Sequence, residues 1–131
     1  MEVRKKAQIR YGRVPILTEE YAIHVYVGPL HAVKRVAERR LAQRYGLRVD
    51  LQDVTDQLRG IAWNCLPEHS PIIAVRTGLP KLEALATLAH EASHAAGFFA
   101  AATGLDDPRG EFRAHAISAV LRVAGKLIRG V

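Results

Sequence analysis

The sequence at residues 86–99 is ATLAHEASHAAGFF, and it contains the motif HEASH at residues 90–94. The surrounding stretch, residues 80–103, is rich in alanine and leucine, and Gly104 follows it as a helix stop. This composition predicts a long, mostly buried helix. Two histidines four residues apart project from the same face of a helix. The stretch therefore predicts a helix that holds two imidazoles side by side.

The spacing of His90, Glu91 and His94 is the one that metal-assisted hydrolysis requires. Two imidazoles at this spacing can bind one zinc ion, and zinc lowers the pKa of a bound water. The glutamate beside them can accept that water's proton as general base. The alternative is that both histidines are structural residues of an alanine-rich core helix.

A catalytic zinc needs a third protein ligand. The pattern HExxHxxGxxH is only half present, because Gly97 fits but Ala100 cannot bind a metal. Asp106 and Asp107 are possible ligands, although Asp107 before a proline is also typical of a helix cap. Glu111 is the preferred candidate because it lies in the first turns of the next predicted helix. Its alternative role is a first-turn glutamate favoured by the helix dipole.

HExxH followed by a glutamate on the next helix resembles the gluzincin family of zinc metallopeptidases. Residues 90–121 are also similar to small HExxH proteins of phages and prophages, in which Glu-Phe-Arg-Ala follows the motif. The resemblance implies a zincin-like fold with Zn²⁺ as cofactor and a peptide or protein as substrate. It implies His90, His94 and Glu111 as zinc ligands and Glu91 as the general base.

The resemblance also places residues 60–75 beside the cleft as the strands along which an extended peptide would lie. His115 follows Glu111 by one helical turn. It could hydrogen-bond the developing oxyanion or Glu111 itself, or it could be an exposed helical histidine. Other oxyanion donors could be tyrosines, and the sequence does not choose among Tyr11, Tyr21, Tyr26 and Tyr45.

The whole chain, residues 1–131, is predicted to be a single α+β domain, a minimal zincin-like unit. It would consist of a small sheet and a basic helix, followed by the active-site helix and a C-terminal helix. Residues 1–18 are mixed in pattern and are expected to form a loosely held arm. The predicted elements are strands at 22–27, 60–66 and 71–75 and helices at 30–45, 80–103 and 108–129. The two strands at 60–75 would form a hairpin or lie as neighbours. Residues 47–60 are ambiguous in pattern, with a short strand at 47–51 followed by a polar or helical turn.

Composition limits the remaining possibilities. The chain has 131 residues, of which 49% are hydrophobic, and its one cysteine is Cys65. An intrachain disulfide and a Cys₄ or Cys₂His₂ zinc site are therefore excluded. Cys65 could act as a latent zinc cap, but core packing is preferred. No signal peptide or membrane span is evident, so we expect a cytoplasmic protein. Structural roles are preferred for His24 and His31, and a solvated turn for His69.

The net charge of +6 is concentrated in residues 1–48, which hold eleven lysines and arginines against four acidic residues. Within this half, Arg39, Arg40 and Arg44 form the basic face of a predicted helix. A phosphate-binding role is conceivable, but no aromatic residues alternate with these arginines in the sequence. The expected function is a zinc-dependent metallohydrolase that acts on peptides. The alternative is a non-catalytic module whose basic half binds nucleic acid or a protein assembly.

Overall fold

The computed structural model describes residues 8–16, 18–46, 48–55, 57–65 and 70–128. These residues form a four-stranded sheet and three α-helices, which confirms the predicted α+β class. None of the described helices is long and apolar enough to cross a membrane. In chain order the elements are β1 (Arg10–Ile16), β2 (Thr18–Gly28), α1 (Leu30–Tyr45), β3 (Gly60–Trp63), β4 (Ile72–Arg76), α2 (Lys81–Thr103), α3 (Glu111–Ala124) and a 3₁₀ turn (Gly125–Leu127).

The strand order across the sheet is β1-β2-β4-β3. β1 pairs with β2 and β3 pairs with β4 in antiparallel register, whereas β2 and β4 are parallel. Parallel strands need a crossover connection, and α1 lies in the connection between β2 and β4. β4 is an interior strand and all its residues from Ile72 to Val75 are buried. β3 is an edge strand, so one side of its backbone has no neighbour in the described sheet.

Each face of the sheet supports its own hydrophobic core because side chains alternate along a strand. Ile73 and Val75 of β4 point towards α2 and α3, and both are fully buried. Ile72 and Ala74 point towards α1, where they join a second cluster. The helices therefore form layers on the two sides of the sheet, with α1 alone on one side.

α2 and α3 pack closely because small residues line their contact. Ala92, Ala95 and Ala96 of α2 are essentially inaccessible to solvent, as are Ala116 and Val120 of α3. Alanine permits helix backbones to approach closely while still burying apolar surface. This packing fixes which face of α2 is left for solvent, and the histidines lie on that face.

The predicted C-terminal ends of α1 and α2 are confirmed, and both have a clear physical cause. α1 covers the predicted residues 30–45, and Gly46 ends it in the left-handed conformation with φ of 68°. α2 ends in the same way at Gly104, with φ of 69°. Pro80, expected as the first helical residue of α2, is instead the N-cap, with extended backbone angles.

Several expectations about the chain are wrong. Residues 10–16 form β1 rather than a loose arm, because Val14 and Ile16 pair with β2 and bury their side chains. Residues 48–51 form no strand; the Leu51 N–H instead donates to the Glu38 carboxylate of α1 at 2.8 Å. Residues 1–7 and Leu47 lie outside the described residues.

The C-terminal helix also differs from its predicted range of 108–129. α3 begins at Glu111 because Gly110 adopts φ of 69°, which an α-helix does not accommodate. The α-helix ends at Ala124 and continues as the 3₁₀ turn. Residues 129–131 lie outside the described residues.

Candidate metal and catalytic site

The two histidines of the motif meet on an exposed face of α2. His90 Nε2 and His94 Nε2 are 3.1 Å apart, and their rings are inclined at 79°. Two nitrogens bound to one tetrahedral zinc at about 2.0–2.1 Å would be about 3.3 Å apart. The distance between the two nitrogens therefore fits a shared metal ion. The i, i+4 spacing is the cause, since α2 continues through both residues without a break.

Glu91 lies on the inner side of the same turn and is only 9% exposed, whereas both histidines are exposed. It faces β3, because a Cβ atom built on Gly60 would lie 3.4 Å from its Cγ. Burial raises the pKa of the Glu91 carboxyl, and the neighbouring His90 and His94 oppose this rise. A carboxyl group is thus held between the edge strand and the histidine pair.

A groove of about 500 Å³ runs between α2 and the segment that leads into β3. Its α2 wall includes Thr87, His90 and Glu91, and its opposite wall is residues 57–60. β3, at the edge of the sheet, begins within this second wall. An exposed strand edge is a surface on which an extended peptide can pair. The resemblance places residues 60–75 beside the cleft. Within this segment, β3 fits that position because it begins on the wall of the groove, whereas β4 is an interior strand.

Glu111, the predicted third ligand, is the first residue of α3 and its side chain is exposed. Within the described part of the chain, no three His, Cys, Asp or Glu side chains are placed to hold a metal ion together. The structure thus brings the two histidines together and does not bring Glu111 to them. The residues present fit two positions of a zinc site, and the assignment of Glu111 stays a prediction.

Arg113 is a residue that the sequence alone did not single out. A Cβ atom built on Gly97 would lie 2.9 Å from its Nη2, so the guanidinium crosses α2 at that glycine. Gly97 follows His94 by three residues, on the same stripe of the helix. The arginine therefore brings a positive charge to the histidine stripe. Gly97 is the one glycine of α2, and its lack of a side chain leaves room for the guanidinium. This glycine is the sequence feature that could have indicated the position of Arg113.

Asp107 serves the start of α3 with its side chain, but it lies three residues before the N-cap, Gly110, and not at the N-cap position that the sequence predicted. Its carboxylate accepts the backbone N–H groups of Phe112 at 2.9 Å and Arg113 at 3.1 Å. These are first-turn N–H groups that lack a partner within the helix. Asp106 is exposed beside it, and His115 is exposed on α3. Neither joins a group able to hold a metal among the described residues.

The remaining candidates lie elsewhere in the fold. Tyr26 packs in the cluster on the α1 side of the sheet, and Tyr11 contacts it there at 4.9 Å between ring centroids. The sheet thus separates both tyrosines from the histidine pair, so the expectation that either might serve as oxyanion donor is wrong. Tyr21 packs edge-on against Phe99 of α2.

Cys65 belongs to the buried cluster on the α1 side, as preferred from the sequence. Its thiol donates weakly to the carbonyl of Trp63 at 3.8 Å. This position excludes the latent zinc cap. His31 is exposed in the first turn of α1, and His69 lies outside the described residues.

Comparisons with known proteins give no relative for this chain. No family model matches it, and neither a curated protein nor a solved structure is similar enough to count as a match.

Proposed function

We propose that this chain is a zinc-dependent metallohydrolase that cleaves peptide bonds. The observation that carries the proposal is the placement of His90 and His94, with 3.1 Å between their Nε2 atoms, next to the buried carboxyl group of Glu91. A pair of core histidines would instead have their rings enclosed by the protein. Both rings are exposed instead, and His90 lies on the wall of the groove.

The residues that would hold the metal are His90, His94 and Glu111. The Glu111 side chain forms no hydrogen bond or ion pair with the part of the chain that the structure describes, so no such interaction has to break for it to change rotamer. A zinc ion supplies a Lewis acid that lowers the pKa of water towards neutrality. Two imidazoles and one carboxylate form a ligand set that leaves a fourth position open.

The protein's own groups supply the remaining chemistry. Glu91 can accept a proton from the attacking water and then donate it to the departing amine, which is the usual use of a carboxyl beside the reacting atoms. Arg113 places a cation on the histidine stripe, where it can stabilise the negative charge that develops on the carbonyl oxygen. The edge of β3, which has no neighbouring strand among the described residues, can hold an extended peptide by strand pairing.

The test compares metal content and hydrolysis in three proteins purified without a metal-affinity tag. We expect about one zinc per wild-type chain by elemental mass spectrometry, and much less for Glu111→Ala. Glu91→Gln should retain the zinc and lose about 100-fold or more of its activity on a casein-type substrate. Glu83→Gln is the matched control, because Glu83 is an exposed glutamate of α2 that lines the same groove.

Two results would reject the proposal. Wild-type protein that binds no zinc after reconstitution would leave His90 and His94 as surface residues. Equal hydrolysis by the wild type and Glu91→Gln would remove the general base. Either result would favour the alternative, a non-catalytic binding module.

A further inference from the structure

A second pocket opens on the other face of the sheet, between α1 and the hairpin of β1 and β2. Its volume is about 230 Å³. Its polar lining combines two arginines, two tyrosines, a histidine and a serine, and none of the described lining residues is acidic. These polar residues are Tyr11, His24, Tyr26, Arg40, Arg44 and Ser70.

The guanidinium of Arg40 is held in place by aromatic rings. It lies 4.9 Å from the ring centroid of Tyr11 and 5.6 Å from that of Tyr26. It also donates from Nη1 to the Tyr26 hydroxyl at 3.1 Å. A guanidinium has five N–H donors, so this one bond leaves most of them available. An arginine positioned in this way is suited to the bidentate recognition of phosphate oxygens.

Arg44 follows Arg40 by four residues, so both side chains leave the same face of α1. Their exposed positions place positive charge at the rim, where an anion would enter. The hydroxyl groups of Tyr11, Tyr26 and Ser70 line the pocket itself. The Tyr11 hydroxyl and His24 Nδ1 are hydrogen-bonded at 2.6 Å, and Ser70 is 3% exposed. Burial raises the pKa of the Tyr11 hydroxyl.

We propose that this pocket binds a phosphate group. Two guanidiniums with neighbouring hydroxyls match an anion of up to two charges with three or more acceptor oxygens better than they match a carboxylate, which has one charge and two oxygens. The phosphate could be free, part of a mononucleotide, or part of a single-stranded nucleic acid. The pocket lies in the basic half of the chain, and that charge would draw polyanions towards it.

Aromatic residues do not alternate with the α1 arginines in the sequence, and the strands β1 and β2 supply them instead. Tyr11 and Tyr26 are cross-strand partners in the register of β1 and β2, so both rings lie on the α1 face. This juxtaposition of arginine and aromatic residues is typical of sites for phosphate-bearing ligands. It forms only when the hairpin pairs and α1 packs on it.

The test titrates the wild-type chain with inorganic phosphate, a mononucleotide, acetate and a labelled twelve-residue oligodeoxythymidine strand. Calorimetry measures the first three probes, and fluorescence anisotropy measures the strand. We expect at least one phosphate-bearing probe to bind at least about tenfold tighter than acetate. The probe that binds most tightly identifies the source of the phosphate.

Arg40→Gln should weaken binding of that probe by about tenfold or more. Arg39→Gln is the matched control, because it removes the same charge from the neighbouring position of α1, outside the pocket; we expect less than a twofold change. Arg44→Gln repeats the test at the rim in case Arg40→Gln does not fold, as judged by circular dichroism. The proposal is overturned if no phosphate-bearing probe binds, if acetate binds equally well, or if Arg39→Gln weakens binding as much as the pocket variants do.

Discussion

Replacing Gly60 by alanine would test the contact that holds the edge strand against the helix carrying the histidines. A Cβ atom at this position would come within 2.7 Å of the Ala74 carbonyl oxygen and 2.7 Å of Thr87 Cγ2. Carbon atoms pack best at about 3.5–4.0 Å, so β3 or α2 would have to move by nearly 1 Å. One of the two obstacles is backbone of the central strand, which cannot turn aside as a side chain can.

Overpacking of this kind costs about 1–3 kcal/mol. For a domain of this size, 1 kcal/mol corresponds to about 4 °C in melting temperature. We therefore expect Gly60→Ala to melt about 4–12 °C below the wild type, as measured by circular dichroism or differential scanning calorimetry. The double variant Gly60→Ala, Thr87→Ala should recover part of the loss, because it removes Cγ2 and leaves the contact with the Ala74 carbonyl.

Gly125→Ala is the matched control. Gly125 has φ of −57°, and the nearest atom to a Cβ there is Leu85 Cδ2 at 3.8 Å, which is ordinary contact. Alanine should therefore be neutral or stabilise by about 0.4–1 kcal/mol, through the lower entropy of the unfolded chain. If Gly60→Ala melts at or above the wild-type temperature, the close approach of β3 to α2 described above is wrong.

Two further predictions concern side chains that hold the backbone. Asp107→Ala removes the acceptor of two first-turn N–H groups and should lower the free energy of unfolding by about 0.5–2 kcal/mol, as measured by urea denaturation. An unchanged urea midpoint would show that these two hydrogen bonds do not stabilise α3. Glu38→Ala should cost about 1–3 kcal/mol, because it leaves the Leu51 N–H without its acceptor. Lys34→Ala removes the 3.1 Å ion pair to the same carboxylate and a 3.5 Å ion pair to the exposed Asp53, and it should cost less than about 1 kcal/mol; equal losses for Glu38→Ala and Lys34→Ala would contradict this expectation.

The helices were predictable because their signals are local. Gly46 and Gly104 end α1 and α2 through left-handed backbone angles that glycine readily adopts. β1 was missed because its stability comes from pairing with β2 and from burial of Val14 and Ile16, neither of which has a local signature. The start of α3 differs from the predicted residue 108 because proline is common both in first helical turns and in the turns before them.

The site shows the same division between local and long-range signals. The approach of His90 to His94 follows from helix geometry alone, so the sequence was enough to predict it. The guanidinium of Arg113 at Gly97 depends on how α3 packs against α2, and no local pattern encodes that packing. The arginine–tyrosine pocket likewise needs α1 and the β1–β2 hairpin together, and the sequence presents their residues as separate runs.

Burial of polar groups links the two candidate sites. Among the described residues, Glu91 and Ser70 are the buried side chains that are polar or charged. Removing such groups from water costs free energy that an apolar residue of similar size would not incur. Glu91 lines the groove with His90, and Ser70 lines the pocket with the arginines, on opposite faces of the sheet. Each of the two proposals therefore gives a use to a buried polar group, for which apolar packing alone gives no reason.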